Sequence, residues 1–460
     1  MNPELRRNLW LQLSAQRLVA APVVLGILLG LMWMIEPRGI PAAAEWVFYL
    51  VVGFWGTRRA ADSLAEEVAG GTWDGQRLSS LGAWPMVVGK LLGATAFAWY
   101  CGLIALAVGL RYGPAWPDPA ALAWSAARFV ALGLLGHALA LLAVLAFRRK
   151  LPGERRLPVA ASQLLGLLAM FAARFATAGG GLSDAPAGQV RWFDLTLPAP
   201  AFWLASTAAF ALWALLGCYR LMRVELQFRA APWVWLGFLV FAIGWVQGLA
   251  WPTLLEGPGG PARWLVVPAV LAGALTYVAL FAERKDPLAY RALGAALSRG
   301  DAGRAWTLLP LWLPTYLVFA GLALALAFLL GDLTLPAIDL WAGSPLALAG
   351  LGKVAAAWPM VVAAVLFLLR DILFVLWLNA VTRRRRADLA AFLYLAVAYG
   401  PLAGLFVMLG ATPLLSLVVP VSTTSALQAL LPVALELLLL LWLLRSRWAA
   451  AGRALRPRPA

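Results

Sequence analysis

The sequence predicts an all-α polytopic membrane protein of about twelve transmembrane helices, built as two parallel-related six-helix halves with both termini cytoplasmic. Three observations predict it. The 460 residues are 63% hydrophobic and 13% charged, with a mean hydropathy of +0.82, too apolar for soluble domains of ordinary composition. Apolar runs of about 18 residues or more, enough to cross a roughly 30 Å hydrocarbon core as helix, recur along the whole chain. The basic residues collect in alternate connections, as the positive-inside rule requires.

The apolar runs fall at 18–35, 42–57, 87–110, 120–147, 158–177, 200–219, 232–252, 263–282, 307–330, 356–381, 389–409 and 426–444. Ahead of the first, residues 3–18 repeat Leu5, Leu9 and Leu13 at helical spacing beside Arg6, Arg7 and Arg17. That pattern fits a helix lying on the inner membrane surface, in contact with lipid headgroups, or a simple positive orientation signal. No small-residue cleavage pattern follows the first run, so it is expected to be a retained anchor.

The formal charge of +16 raises the question of a polyanionic partner. Most of the 37 Lys and Arg follow the topology instead, in segments such as "FRRKLPGERRL", "ERKDPLAYRALGAALSRGDAGR" and "TRRRRAD", all on the cytoplasmic side. Arg38, Arg111, Arg191, Arg263 and Lys353 are left outside, and Lys90, Arg128, Arg174 and Arg370 within spans. The charge therefore reads as orientation in the cytoplasmic (inner) membrane, and no nucleic-acid partner is expected. Cys101 and Cys218 lie in spans with no disulfide or metal spacing, and no metal site is expected.

The same order of features appears twice. Residues 1–225 hold a basic lead-in, two spans, a long cytoplasmic loop at 58–86, two spans, a short basic loop and two more spans. Residues 226–460 repeat that order with the long loop at 283–306, which implies a duplicated six-span unit.

The first long loop carries the most informative stretch, "EEVAGGTWDGQRLSSLGAWPMVVGKLLG". Gly70 and Gly71 end one helix, and Thr72 can cap a short helix with Asp74 in its first turn. Gly82 and Pro85 interrupt that helix before the chain re-enters the membrane, with Lys90 placed to snorkel to the surface. Glu67, Gly71-Thr72, Asp74, Leu78, the run Ser79 to Trp84, and Gly89-Lys90-Leu91-Leu92 together resemble the loop after the second span in permease subunits of ABC-2-type transporters. Ser80 and Ala83 stand where that family often has proline, and Pro85 where it often has an acidic residue. The resemblance implies that residues 72–84 form a coupling helix docking on a nucleotide-binding subunit through Glu67, Gly71, Thr72, Asp74, Arg77, Leu78, Leu81, Trp84 and Lys90. It also implies export.

The second long loop lacks those residues but has helix logic of its own. Asp286 can cap, Pro287 fits the first position, Gly300 can stop the helix, and Tyr290, Leu293 and Leu297 share a face. It is either a diverged second coupling helix, making the chain a pseudo-dimer that acts alone or dimerises, or a helix resting on headgroups.

No phosphate-binding Gly-Lys-Ser/Thr loop is present, so the ATP and Mg²⁺ that the resemblance implies are expected on a partner subunit, and no cofactor or catalytic residue on this chain. Ionisable residues inside spans are costly and often functional, which singles out Arg128, His137, Arg174, Arg370, Asp371 and Glu436. Arg370 and Asp371 sit about 18 Å along a helix from Thr382 and point about 100° apart, so at least one should meet another span, through Glu436, Arg128 or Arg174, or a substrate. Two functions fit. The chain is the permease of an ATP-driven exporter of an amphipathic or lipid-like substrate, or an ion- or proton-coupled secondary transporter or motorless scaffold that uses Arg370, Asp371 and Glu436.

Overall fold

The computed structural model describes residues 2–151, 153–178, 188–228, 230–255, 262–331, 357–381, 387–420 and 425–454. The basic run at 383–386, Lys353 and the residues after 454 lie outside this description. Among the described residues, 11 helices are long and apolar enough to cross a membrane. Ala83–Gly93 and Ala96–Tyr112, bent by 49°, make a further span as a pair. Each coincides with one of the twelve apolar runs, and the chain is a multi-pass, helical membrane protein.

The chain divides into two compact units, Met1–Phe238 and Leu239–Ala460. Unit 1 opens with α1 (Pro3–Gln12), which Asn2 caps by accepting from the Glu4 and Leu5 amides. Ser14 caps α2 (Ala15–Ile35), so the surface helix stops at Gln12 and does not run to residue 18. Its buried side chains are Glu4 and Asn8, whereas Leu5 and Leu9 are half-buried. α3 (Ile40–Phe48) passes through a widened π segment, Tyr49–Gly56, into α4 (Thr57–Ala69).

Widening a helix frees carbonyls from their usual i+4 partners. Here other helices take them: His137 Nε2 donates to Val52 O at 2.7 Å and Gln163 Nε2 to Phe54 O at 2.9 Å. These donors come from α8 (Pro119–Lys150) and α9 (Val159–Ala178). At 32 residues α8 is about 48 Å long, more than a bilayer core needs, and its last turn carries Arg148, Arg149 and Lys150. It forms the centre of unit 1, packing Leu141 and Leu145 with Leu64 of α4, Met86, and Met222 of α10 (Ala199–Glu225).

Helices in lipid approach closely where small residues face each other. α8 and α9 do so at Gly136 and Gly166, where a Cβ on Gly166 would stand 2.4 Å from Gly136 O. Gly166→Val is therefore expected to destabilise unit 1 by about 1–3 kcal/mol. Thermal melting in detergent checks this against Gly26→Val, which meets nothing within 4 Å and should melt like wild type.

The all-α expectation holds, and one connection between helices carries a short hairpin. Residues Gln189–Trp192 and Leu195–Pro198 form an antiparallel hairpin, pairing Gln189 with Pro198 and Trp192 with Leu195. Its turn places Phe193 at φ 51°, without the Asn or Gly that normally marks such turns in a sequence.

Beyond α11 (Trp233–Leu255), in unit 2, α12 (Ala262–Ala282) and α15 (Trp312–Leu330) pack together, and α15 packs on the helix Trp358–Val381, which in turn packs on Ala426–Ala454. Between the first two lies a helical hairpin, α13 (Pro287–Ser298) and α14 (Ala302–Leu308), closed by Leu293, Ala296 and Ala305.

Candidate functional site

The candidate site lies where the first long loop leaves and re-enters the helical bundle of unit 1. α4 ends in a Schellman turn: Gly71 at φ +72° lets the Thr72 amide reach Glu67 O at 3.0 Å and its own amide reach Val68 O at 3.3 Å. Thr72 does not cap the next helix. Its hydroxyl instead donates back to Glu67 O at 3.3 Å. The expected coupling helix over 72–84 is shorter, α5 (Trp73–Arg77), followed by bends to Gly82 and then α6 (Ala83–Val88). Pro85 breaks nothing, because it sits in the first turn of α6, where a proline needs no amide partner.

Lys90 was expected at the surface and is buried. The reason is electrostatic. Its Nζ is bonded to Glu67 Oε2, lies 3.3 Å from Glu4 Oε1 and 3.3 Å from Gln76 Oε1, and sits 5.3 Å from the centre of the Trp73 ring. Arg7 adds a second cation, 3.1 Å from Glu4 and also bonded to Glu67. Two carboxylates thus face two cations, an arrangement that tolerates burial only while every member is paired. Gln76 Nε2 completes it by donating to Glu67 Oε1 at 2.7 Å.

α1 is part of this site. Asn2 donates to Pro85 O at 2.6 Å, and Asn8 to Gly89 O at 3.2 Å. The two glycines of Gly89-Lys90-Leu91-Leu92-Gly93 make room for it: a Cβ at Gly89 would stand 2.4 Å from Glu4 Cγ, and one at Gly93 2.6 Å from Asn8 Cβ. Sequence reasoning missed Glu4, Arg7 and Asn8, whose signal was a polar stripe at i, i+3 and i+4 beside the leucines.

The far side of the loop is tied to α10. Arg77 Nε donates to Glu225 O at 2.9 Å, meeting a carbonyl at the end of that helix, and Trp84 packs edge-on against Tyr219 at 5.6 Å. Leu81 packs on the adjoining core. Leu78, 89% exposed, and Asp74 face outward. The nine residues proposed from sequence thus divide into Glu67, Gly71, Thr72, Arg77, Leu81, Trp84 and Lys90, which build and brace the loop, and the pair it presents.

The second loop forms its helix as expected, with Asp286 accepting from the Leu288 amide and Gly300 at φ +71° in another Schellman turn. The expected face is corrected: Leu293 packs inward with Ala296, while Leu297 is exposed. Tyr290 accepts from Trp312 Nε1 at 3.2 Å, and burial pushes its pKa up to about 12.

The intramembrane residues form separate groups. Arg174 pairs with Glu45 at 3.0 Å, and His137 serves the π segment described above. Arg370 does pair with its neighbour Asp371, at 2.8 and 2.9 Å, because the long arginine side chain folds back across the 100° offset. It also reaches Glu436 at 3.0 Å and Tyr399 at 3.1 Å. Asp371 further accepts from Tyr277 at 2.5 Å and Tyr399 at 2.6 Å, two partners absent from the sequence reading. No family model, curated protein or solved structure matches the chain.

Proposed function

We propose that the chain is the membrane-spanning permease subunit of an ABC-2-type transporter in the cytoplasmic membrane, with both termini inside. ATP is hydrolysed with Mg²⁺ on a separate nucleotide-binding subunit that docks on residues 70–82. The observation that carries this reading is mechanical. A loop offering exposed Leu78 and Asp74 is braced at once to α1, α4, α10 and the re-entering helix through Lys90, Glu67, Gln76 and Arg77. A push on such a loop reaches several spans, whereas a loosely tethered loop would absorb it. Nucleotide binding can then shift the spans only as far as the motor binds two arrangements with different affinity. The two six-span halves act as a pseudo-dimer that exports an amphipathic or lipid-like substrate.

A crosslink tests the docking. Native Cys101 and Cys218 are buried, so a cysteine at Leu78 supplies the exposed thiol. It is expected to crosslink to the ATPase, and a Leu78→Cys chain that never does would overturn the reading. A cysteine at Leu297 reports separately whether the second loop also docks.

The alternative, an ion- or proton-coupled secondary transporter, is favoured by one observation: Glu436 is 34% exposed within a span while paired to Arg370. It requires no motor, so the same crosslink separates the two.

A further inference from the structure

At the end of unit 1 opposite the loop, α3, α8 and α7 (Ala96–Tyr112) enclose a cavity of about 160 Å³. Arg128 of α8 lines it beside Glu45, Ser125 and the apolar side chains of Phe48, Leu106 and Phe129. A guanidinium carries five donors in a planar fork. Yet Arg128 has no hydrogen-bond acceptor among the described residues; its Nε is buried without one, and its group lies 5.1 Å from the Phe129 ring centre.

The described charges around it leave this cation unmatched. Glu45, the carboxylate on the cavity wall, is engaged by Arg174 at 3.0 Å and by the Tyr49 hydroxyl at 3.1 Å. Asp118 caps α8, accepting from the Ala120 amide at 2.9 Å. Among the described residues, the carboxylate on this wall is thus taken up by Arg174 and not by Arg128, in a place where an unpaired charge is expensive. Among the described residues, two other intramembrane cations are paired, Lys90 by Glu4 and Glu67, Arg370 by Asp371 and Glu436.

We propose that Arg128 is the recognition residue of an anion site that takes the phosphate or carboxylate headgroup of an amphipathic molecule, whose chain lies along Phe48, Leu106 and Phe129. The cavity has room for one such headgroup, and the free fork matches two of its oxygens. This goes beyond the transport reading and needs no ATPase.

The test is calorimetric titration of the detergent-purified full chain with hexyl phosphate, inorganic phosphate and hexanol. Hexyl phosphate is expected to bind and hexanol not. Arg128→Gln is expected to weaken binding about tenfold or more, with Arg128→Lys retaining part of it. Competition by inorganic phosphate would identify the bare anion as sufficient; its failure would make the alkyl chain a required part of the ligand. A second measurement needs no variant: hexyl phosphate should protect Arg128, and not Arg111, from phenylglyoxal in the wild type. Equal affinity of hexanol and hexyl phosphate, unchanged binding in Arg128→Gln, or no protection of Arg128 would overturn the assignment.

Discussion

Lys90→Met is expected to destabilise unit 1 by about 3–5 kcal/mol, because it leaves carboxylates buried without their partner. Glu4 is 4% exposed and Glu67 12%, and the one cation left to them, Arg7, is 44% exposed and screened by solvent. Methionine fills most of the lysine stem's volume, so the loss is electrostatic and not a cavity effect. Thermal melting in detergent checks the direction, and adding Glu67→Gln should recover part of the loss by removing one stranded charge. The loop should loosen in the same variant, since Gln76 and Trp73 lose their common contact. Melting of Lys90→Met at the wild-type temperature would show that the cluster does not hold this end of the bundle.

Arg370→Met should have a comparable effect in unit 2, again about 3–5 kcal/mol, since Asp371 is fully buried and keeps only the hydroxyls of Tyr277 and Tyr399. The three charged members are not equivalent. Asp371→Asn leaves Arg370 with Glu436 at 3.0 Å and is expected to be milder. Glu436→Gln should be mildest, because Glu436 is a third exposed and the Arg370–Asp371 pair survives it. Melting temperatures in the order Glu436→Gln, Asp371→Asn, Arg370→Met, falling, are predicted; an Asp371→Asn that melts below Arg370→Met would reverse the roles assigned here.

Much of the fold was legible because it follows from local rules. Among the described residues, the twelve apolar runs became eleven helices long and apolar enough to span and a bent pair, and Gly71, Asp286-Pro287 and Gly300 mark helix ends where their backbone chemistry requires. What escaped depends on partners far apart in sequence. Lys90 reads as a snorkelling lysine until Glu4, 86 residues away, and Glu67, 23 away, are brought beside it. Tyr277 and Tyr399 lie 94 and 28 residues from Asp371, inside spans where a tyrosine carries no pattern of its own. Tyr399 also comes from a π segment, Ala398–Leu402, whose altered register periodicity does not foretell. The leucine spacing of α1 pointed to lipid, and the polar residues between those leucines decided which face was buried. The hairpin at 189–198 was missed because Phe193 occupies a turn position that glycine or asparagine usually announces.

The division of the first long loop into braced and presented residues also separates stability from docking. Arg77 and Trp84 hold the loop to α10, so their loss would blur the two. Asp74 and Leu78 touch little of the chain itself, Leu78 being 89% exposed and Asp74 reaching only Arg77 at 3.3 Å. They can be changed together without disturbing the Lys90 cluster.

The most direct measurement is copurification of the detergent-solubilised chain with its native-host ATPase, wild type beside the Asp74→Ala, Leu78→Ala double variant. It reads bound vanadate-sensitive ATP turnover and the melting temperature of the membrane chain. Docking on residues 70–82 predicts that the double variant loses the ATPase while melting like wild type. An ATPase complex undiminished in the double variant, or none with the wild type, would contradict it.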